Sequence, residues 1–333
     1  MRITVLGSGG WGTALALLLL ENGNDVTLWS HTRVHSDRLR QTRENPRLPG
    51  VALPEGLKLT ADMEEAAGSA LVVMAAPSFA VKETARLAAP FLERDAVVVS
   101  AAKGIERDTA LSMTQVIERE VGGKCRTAAL SGPSHAEEVA RGIPTGCVAA
   151  AGDLETAQLV QDVFMSPRFR VYTNEDLVGV ELGGALKNVL ALCCGVSDGM
   201  GLGDNTKALL MTRGMTEMAR LGVAMGGRKE TFAGLSGMGD LIVTCTSMHS
   251  RNRRCGILIG QGRTPQEAME EVGAVVEGYF AALSAHQLAE KVGVDMPICA
   301  CAYHVLYGDQ PLRSAVERLM RRSKRREVDE SWI

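Results

Sequence analysis

The chain has 333 residues, of which 46% are hydrophobic and 23% charged, and its formal net charge is −3. That length exceeds a single compact core and predicts two domains, and the composition is that of an ordinary globular chain rather than a disordered or fibrous one. The small negative charge excludes a general pull toward nucleic acid or an anionic membrane surface.

The first element is an apolar strand, Ile3-Thr4-Val5-Leu6, running directly into Gly7, Gly9 and Gly12. This is the spacing of a dinucleotide-binding turn. Gly7 lets the chain turn out of the strand, Gly9 admits a pyrophosphate to the backbone, and Gly12 lets the next helix pack closely. Gly10 and Trp11 lie inside the same loop. The helix that follows contains the apolar run Ala14 to Leu20, too short for a bilayer span and read as a buried core helix. Met1-Arg2 leads straight into the strand with no secretory pattern, so a cytoplasmic protein with no stable membrane insertion is expected.

A second strand, Val26 to Trp29, ends in Ser30-His31-Thr32-Arg33. An NAD-binding site normally carries an acidic residue about 20 positions beyond the glycines to hold the ribose hydroxyls. No carboxylate stands at this tip. His31 and Arg33 suit a 2′-phosphate instead, which favours NADPH/NADP over NADH/NAD, with Asp37 near enough to leave NAD open. Further strands are predicted at Ala70–Ala75, Ala96–Ala101, Thr127–Leu130 and Thr145–Ala150. Runs such as Val97-Val98-Val99 suit strands covered on both faces of a mostly parallel sheet. Ligands bind at the carboxyl ends of such strands, so Lys103-Gly104 and Ser131-Gly132-Pro133-Ser134 should line the cleft.

Near residue 178 the texture changes to helical periodicity, through Leu177–Leu192, Thr206–Leu221, Val276–Val292 and Pro311–Arg322. The predicted architecture is α/β: a Rossmann-type, doubly wound, mostly parallel sheet over residues 1–178, then an all-helical substrate domain over 179–333. The basic tail, Arg321-Arg322-Ser323-Lys324-Arg325-Arg326, reads as a solvated helix end rather than a polyanion site.

In the first of these helices, Lys187 has Gly183, Gly184, Leu190 and Ala191 as neighbours at three and four positions, and no charge shares its face. A surface lysine usually sits on a polar stripe. Partial desolvation would lower its pKa and let it give and retake a proton, as reduction of a ketone requires. The alternative is an interface lysine snorkelling past apolar neighbours. Asn188 follows as an orienting amide, and Lys103, at a strand tip, is the second lysine expected to face the cleft.

Asp240 follows a glycine turn, Ser236-Gly237-Met238-Gly239, with Thr244 four residues on. It either caps a helix or pairs with the catalytic lysine. Ser250-Arg251-Asn252 then stands at a helix start, where free amides, the helix dipole and a guanidinium converge on a phosphate. Three arginines cannot share one phosphate, so Arg251 is assigned to the anion and Arg253 and Arg254 to structure. Without a basic field or stacking aromatics, a nucleic-acid reading is weak. The eight cysteines show neither C-x-x-C nor zinc-ligand spacing, so they are expected to be reduced and buried, with no metal. Together these features predict an oxidoreductase acting on a small anionic ketone or secondary alcohol.

The strings Gly-Gly-Ala-Leu-Lys-Asn (183–188) and Ser-Arg-Asn-Arg-Arg (250–254), with the glycine loop, Ser131-Gly132-Pro133, Gly239-Asp240-Leu241 and Val275-Val276-Glu277-Gly278, run almost end to end. In them the chain resembles the bacterial NAD(P)-dependent glycerol-3-phosphate dehydrogenases. The resemblance implies reversible reduction of dihydroxyacetone phosphate to sn-glycerol 3-phosphate for glycerophospholipid synthesis, in a homodimer. It implies Lys187 as proton acceptor in the oxidising direction and Lys103 in contact with both cofactor and substrate. Gly132, Ser134, Asp240, Ser250, Arg251 and Asn252 match substrate positions. Gly10, Trp11, His31, Arg33, Ala136, Arg251, Val275 and Glu277 match cofactor positions. Gly10 stands where serine is frequent and Ser134 where threonine is common. The rival readings are a 3-hydroxyacid or ketopantoate-type reductase and a non-catalytic NADPH sensor.

Overall fold

The computed structural model describes residues 1–107, 109–308, 310–324 and 326–327. The chain forms two compact units, Met1–Lys103 with Ser112–Leu177, and Gly104–Leu111 with the chain from Val178 onward. The short segment Gly104–Leu111 therefore groups with the second unit, although its sequence position lies inside the first.

The first unit runs β1 (Arg2–Leu6), α1 (Gly10–Glu21), β2 (Asp25–Trp29), α2 (Arg33–Thr42), β3 (Lys58–Thr60) and β4 (Leu71–Met74). It continues through α3 (Val81–Ala88), β5 (Val97–Ser100), α4 (Met113–Val121), β6 (Arg126–Ser131) and α5 (Ala136–Val139). Then come β7 (Thr145–Ala151), α6 (Leu154–Phe164) and β8 (Phe169–Asn174). The strands form one sheet in the order β3-β2-β1-β4-β5-β6-β7-β8. Every pairing is parallel except β6 with β7. All residues of β4 and β5 are buried, as their unbroken apolar runs require when helices cover both faces. Strand order reverses beside β1, and the crevice at such a reversal is where α/β sheets take their ligands. The glycine loop leaves β1 at that point.

Two strands lacked the signal of a continuous apolar run. β3 has three residues, and β8 alternates buried and exposed side chains over Phe169, Arg170, Val171 and Tyr172. Such alternation marks a strand with one wet face.

Among the described residues the second unit is helical: α7 (Leu177–Gly199), α8 (Gly203–Ala224), α9 (Lys229–Ala233), α10 (Asp240–Thr246) and α11 (Arg251–Gly260), then α12 (Pro265–Val272), α13 (Glu277–Val292), α14 (Pro297–Tyr307) and α15 (Leu312–Met320). The start of α12 carries a Thr264/Glu267 capping box that sequence reading passed over. Helix α7 is long and apolar enough to cross a membrane, but 83% of its apolar window is buried within the protein. It is the hub of the second core, where Leu186, Val189 and Leu190 cluster with Met218, Phe232, Leu241 and Ala282.

Glycines let α7 and α11 touch backbone to backbone. Gly195 and Gly199 on one helix face Gly256 and Gly260 on the other. A Cβ at Gly195 would lie 2.1 Å from the Arg253 carbonyl oxygen, and one at Gly256 would lie 2.1 Å from that of Leu192. The arrangement is a Gly-x-x-x-Gly pair on each side of one crossing, a motif better known from membrane helices.

Candidate active site

In the first unit, Gly7 adopts φ +122 and its amide donates to the Trp29 carbonyl at 3.1 Å. A Cβ at Gly12 would lie 1.9 Å from the Gly7 carbonyl oxygen, so α1 sits hard against the turn, whereas a Cβ at Gly9 would meet nothing within 4 Å. Gly9 is the N-cap of α1; no side chain caps that end and no acidic residue stands in its first turn. Open space before uncapped amides at the positive end of a helix fits a pyrophosphate. Trp11 lies in the same first turn, half-buried.

The loop after α2 closes over this turn. Asn45, 1% exposed, donates from Nδ2 to the Ser8 carbonyl at 3.0 Å and to Thr13 Oγ1 at 2.7 Å. It thereby brings Arg47 over Gly10, where a Cβ would lie 2.7 Å from the Arg47 carbonyl oxygen and 3.7 Å from Ala136 Cβ. Glycine instead of serine at position 10 follows from that contact. Asn45 and Arg47 escaped sequence reading because their partners precede them by 32 residues or more.

Parallel pairing of β1 with β2 sets His31 and Arg33 beside the glycine turn, both exposed. Asp37 is ion-paired with Arg40 at 3.1 Å. On the other side of the strand-order reversal, Lys103 Nζ donates to the Gly132 carbonyl at 2.9 Å and to Ser134 Oγ at 3.0 Å. The loops after β5 and β6 thus join three of the proposed substrate residues. Ala136 opens α5 immediately beyond them.

In the second unit, Lys187 is not the isolated cation its own helix suggests. Its Nζ donates to Asp240 Oδ1 and, at 2.8 Å, to Thr244 Oγ1. Lys187, Asp240 and Thr244 are 6%, 1% and 5% exposed. The neighbour absent from α7 comes from α10. A π-helical segment, Leu235–Gly239, leads into α10 and lies against Gly183, where a Cβ would sit 2.9 Å from the Ser236 carbonyl oxygen. Such segments frequently mark functional sites. Asp240 therefore serves as the ion-pair partner; the N-cap position belongs to Gly239. The carboxylate balances a charge that burial alone would penalise.

A second chain of contacts starts one residue on. Asn252 Nδ2 donates to Asn188 Oδ1 at 2.8 Å, and the Gly278 amide donates to Asn252 Oδ1 at 2.8 Å. These bonds tie α7, α11 and the start of α13, where Val275 and Glu277 flank Val276. Ser250 caps α11, its Oγ accepting from the Arg253 amide at 3.2 Å, and its hydroxyl can still donate. Arg251 is exposed in the first turn of α11. Arg253 instead faces Asp198 at 2.7 Å.

All eight cysteines are free, and no cluster of His, Cys, Asp or Glu among the described residues has the arrangement of a metal site. Arg322 pairs with Asp295 at 2.7 Å, and Arg325 of the basic tail lies outside the described residues.

A doubly wound sheet with a phosphate-ready glycine turn, and a buried lysine–carboxylate pair in a helical unit, define a pyridine-nucleotide-dependent dehydrogenase. Comparison with known proteins gives the same class and narrows it. Residues 2–157 match the NAD-dependent glycerol-3-phosphate dehydrogenase N-terminus and residues 176–317 its C-terminus, and the chain belongs to this family. It is 56% identical over 329 residues to the glycerol-3-phosphate dehydrogenase [NAD(P)+] of Moorella thermoacetica, covering 98% of each chain. The crystal structure of glycerol-3-phosphate dehydrogenase from Coxiella burnetii superposes with a TM-score of 0.92 at 38% identity, covering 96% of this chain and 99% of that one. A ketopantoate reductase from Ralstonia eutropha, 14% identical with a TM-score of 0.61 and coverage of 96% and 100%, shares the fold alone.

Proposed function

We propose that this protein catalyses the reversible, nicotinamide-dependent reduction of dihydroxyacetone phosphate to sn-glycerol 3-phosphate, supplying the glycerophospholipid backbone. The observation that carries the reading is Lys187, buried yet hydrogen-bonded to Asp240 and Thr244, in a family whose members are named for this reaction. A bound nicotinamide supplies a hydride in one direction and takes it back in the other. As the carbonyl carbon gains hydride, Lys187 transfers a proton from Nζ to the carbonyl oxygen, and in oxidation it receives that proton. Asp240 holds the ammonium in place, and Thr244 orients it. Arg251, the Ser250 hydroxyl and the first amides of α11 take the substrate phosphate. Asn252 and Asn188 fix the wall beside it, and Lys103, Gly132 and Ser134 are assigned to substrate by family resemblance.

His31 and Arg33 favour NADPH, since Asp37, the next acidic residue along the chain, is engaged with Arg40. Val275 and Glu277 are assigned to the cofactor by family resemblance. The same resemblance supports a homodimer.

Initial rates with dihydroxyacetone phosphate and each reduced nucleotide, set against a 2-keto acid, test the assignment. Turnover of the phosphorylated ketone is expected, fastest with NADPH; preference for the keto acid would favour the reductase reading, and tight NADPH binding without turnover a sensor. Lys187→Ala should lower kcat by about 10²–10⁴-fold with NADPH affinity almost unchanged. Survival of turnover in that variant defeats the proton-transfer role.

A further inference from the structure

Three helices carry the proposed substrate groups of the second unit: α7 with Lys187 and Asn188, α10 with Asp240 and Thr244, and α11 with Arg251 and Asn252. One guanidinium joins all three. Arg253 Nε and Nη2 both donate to Asp198 Oδ2, at 2.8 and 2.7 Å, near the end of α7. Its Nη1 donates to the Thr246 carbonyl, at the last residue of α10, at 3.1 Å, and contacts Met248 Sδ at 2.9 Å in the turn before α11. The other oxygen of Asp198 accepts from Lys207 Nζ on α8 at 2.8 Å. The Arg253 and Asp198 side chains are only 13% and 16% exposed. A planar fork holds a carboxylate edge and a helix-end carbonyl in one fixed geometry, whereas an ammonium donates from a single rotatable point.

We infer that Arg253 and Asp198 are positioning residues for substrate phosphate. They hold the α10–α11 turn so that Arg251 and the α11 amides meet the anion at a fixed distance from Lys187. The inference rests on the reading that α11 takes the phosphate. The glycine crossing reinforces it: α7 and α11 touch backbone to backbone through Gly195, Gly199, Gly256 and Gly260, and the Arg253–Asp198 pair ties the same two helices beside that crossing. With its donors committed to Asp198, Thr246 and Met248, Arg253 serves the turn rather than the anion.

The test measures Arg253→Ala, Asp198→Asn and Arg251→Gln with dihydroxyacetone phosphate and with dihydroxyacetone, the same ketone lacking phosphate. Arg253→Ala and Asp198→Asn should each raise KM for the phosphorylated ketone about tenfold, a modest displacement of the anion site. kcat should change by less than about threefold, and kcat/KM for dihydroxyacetone and the NADPH Kd should stay near wild type. The double variant should be little worse than either single one, because both remove one interaction. Arg253→Lys should recover only part of the KM. If Arg253→Ala does not fold, Asp198→Asn, which keeps the side-chain shape, carries the test. Equal losses on both ketones, or an unmoved KM, overturn the inference. Arg251→Gln separates the two levels. If it raises KM for the phosphorylated ketone while the other variants do not, only the positioning role falls. If it has no selective effect, the phosphate reading fails and the positioning role falls with it.

Discussion

Glu217 shows how a single buried carboxyl couples this fold to pH. It is 3% exposed on α8, and its two oxygens accept the Ile298 and Cys299 amides at 2.7 and 3.1 Å, closing the open end of α14. Burial pushes its pKa up from 4.5 to about 7, against the pull of those two amides and of Arg220. A carboxyl raised on folding binds more protons folded than unfolded, so stability falls as pH rises. The penalty is absent below 4.5, grows between 4.5 and about 7, and is complete above that. Its full size is about 3 kcal/mol. Glu217→Gln carries no titrating group and should therefore gain on wild type by up to about 3 kcal/mol between pH 5 and 8 in urea unfolding. A constant difference across that range would show that the carboxyl does not titrate there. The buried Lys187–Asp240 pair is the contrasting case, in which each ion compensates the other and removing one member strands its partner.

At the scale of elements, the crossing of α7 with α11 sets the geometry of the second unit. Gly256→Ala would place a methyl 2.1 Å from the Leu192 carbonyl and 2.8 Å from the Val196 amide nitrogen, both backbone atoms that cannot step aside. Alanine's better helix propensity, worth about 1 kcal/mol, is outweighed by the forced separation. We expect a net loss of about 1–3 kcal/mol in chemical unfolding, together with a raised KM for substrate. Unchanged stability would mean that the helices part without cost. This crossing also marks the limit of what the sequence disclosed. The glycine turn, β1, β2, the interior strands β4 to β7 and the long helix α7 were legible, because each is a local pattern of period or punctuation. Asp240 remained divided between capping and pairing, since only a contact spanning 53 residues decides it. The apparent solitude of Lys187 was a property of its own helix, cancelled by α10. Arg253 was assigned to structure, but its Asp198 partner lies 55 residues away and left no local trace.

For the molecule as a whole, nucleotide choice should appear as a difference in protection. A ligand that binds only the folded chain stabilises it by about 2.7 kcal/mol at a hundredfold excess over Kd. NADPH should therefore raise the melting temperature more than NADH at equal concentration, and Arg33→Ala, at the exposed tip beyond β2, should narrow that gap. An equal rise with both nucleotides in the unaltered protein would remove Arg33 and His31 from selectivity. Helix α7 carries a different consequence, one of timing. Most of its surface is apolar, and the groups that cover it, from Met218 and Phe232 to Ala282, follow it in the chain. A ribosome delivering this chain thus releases a segment with the hydropathy of a bilayer span well before its cover exists. The apolar faces of α7 lack their full cover until α13 has been made.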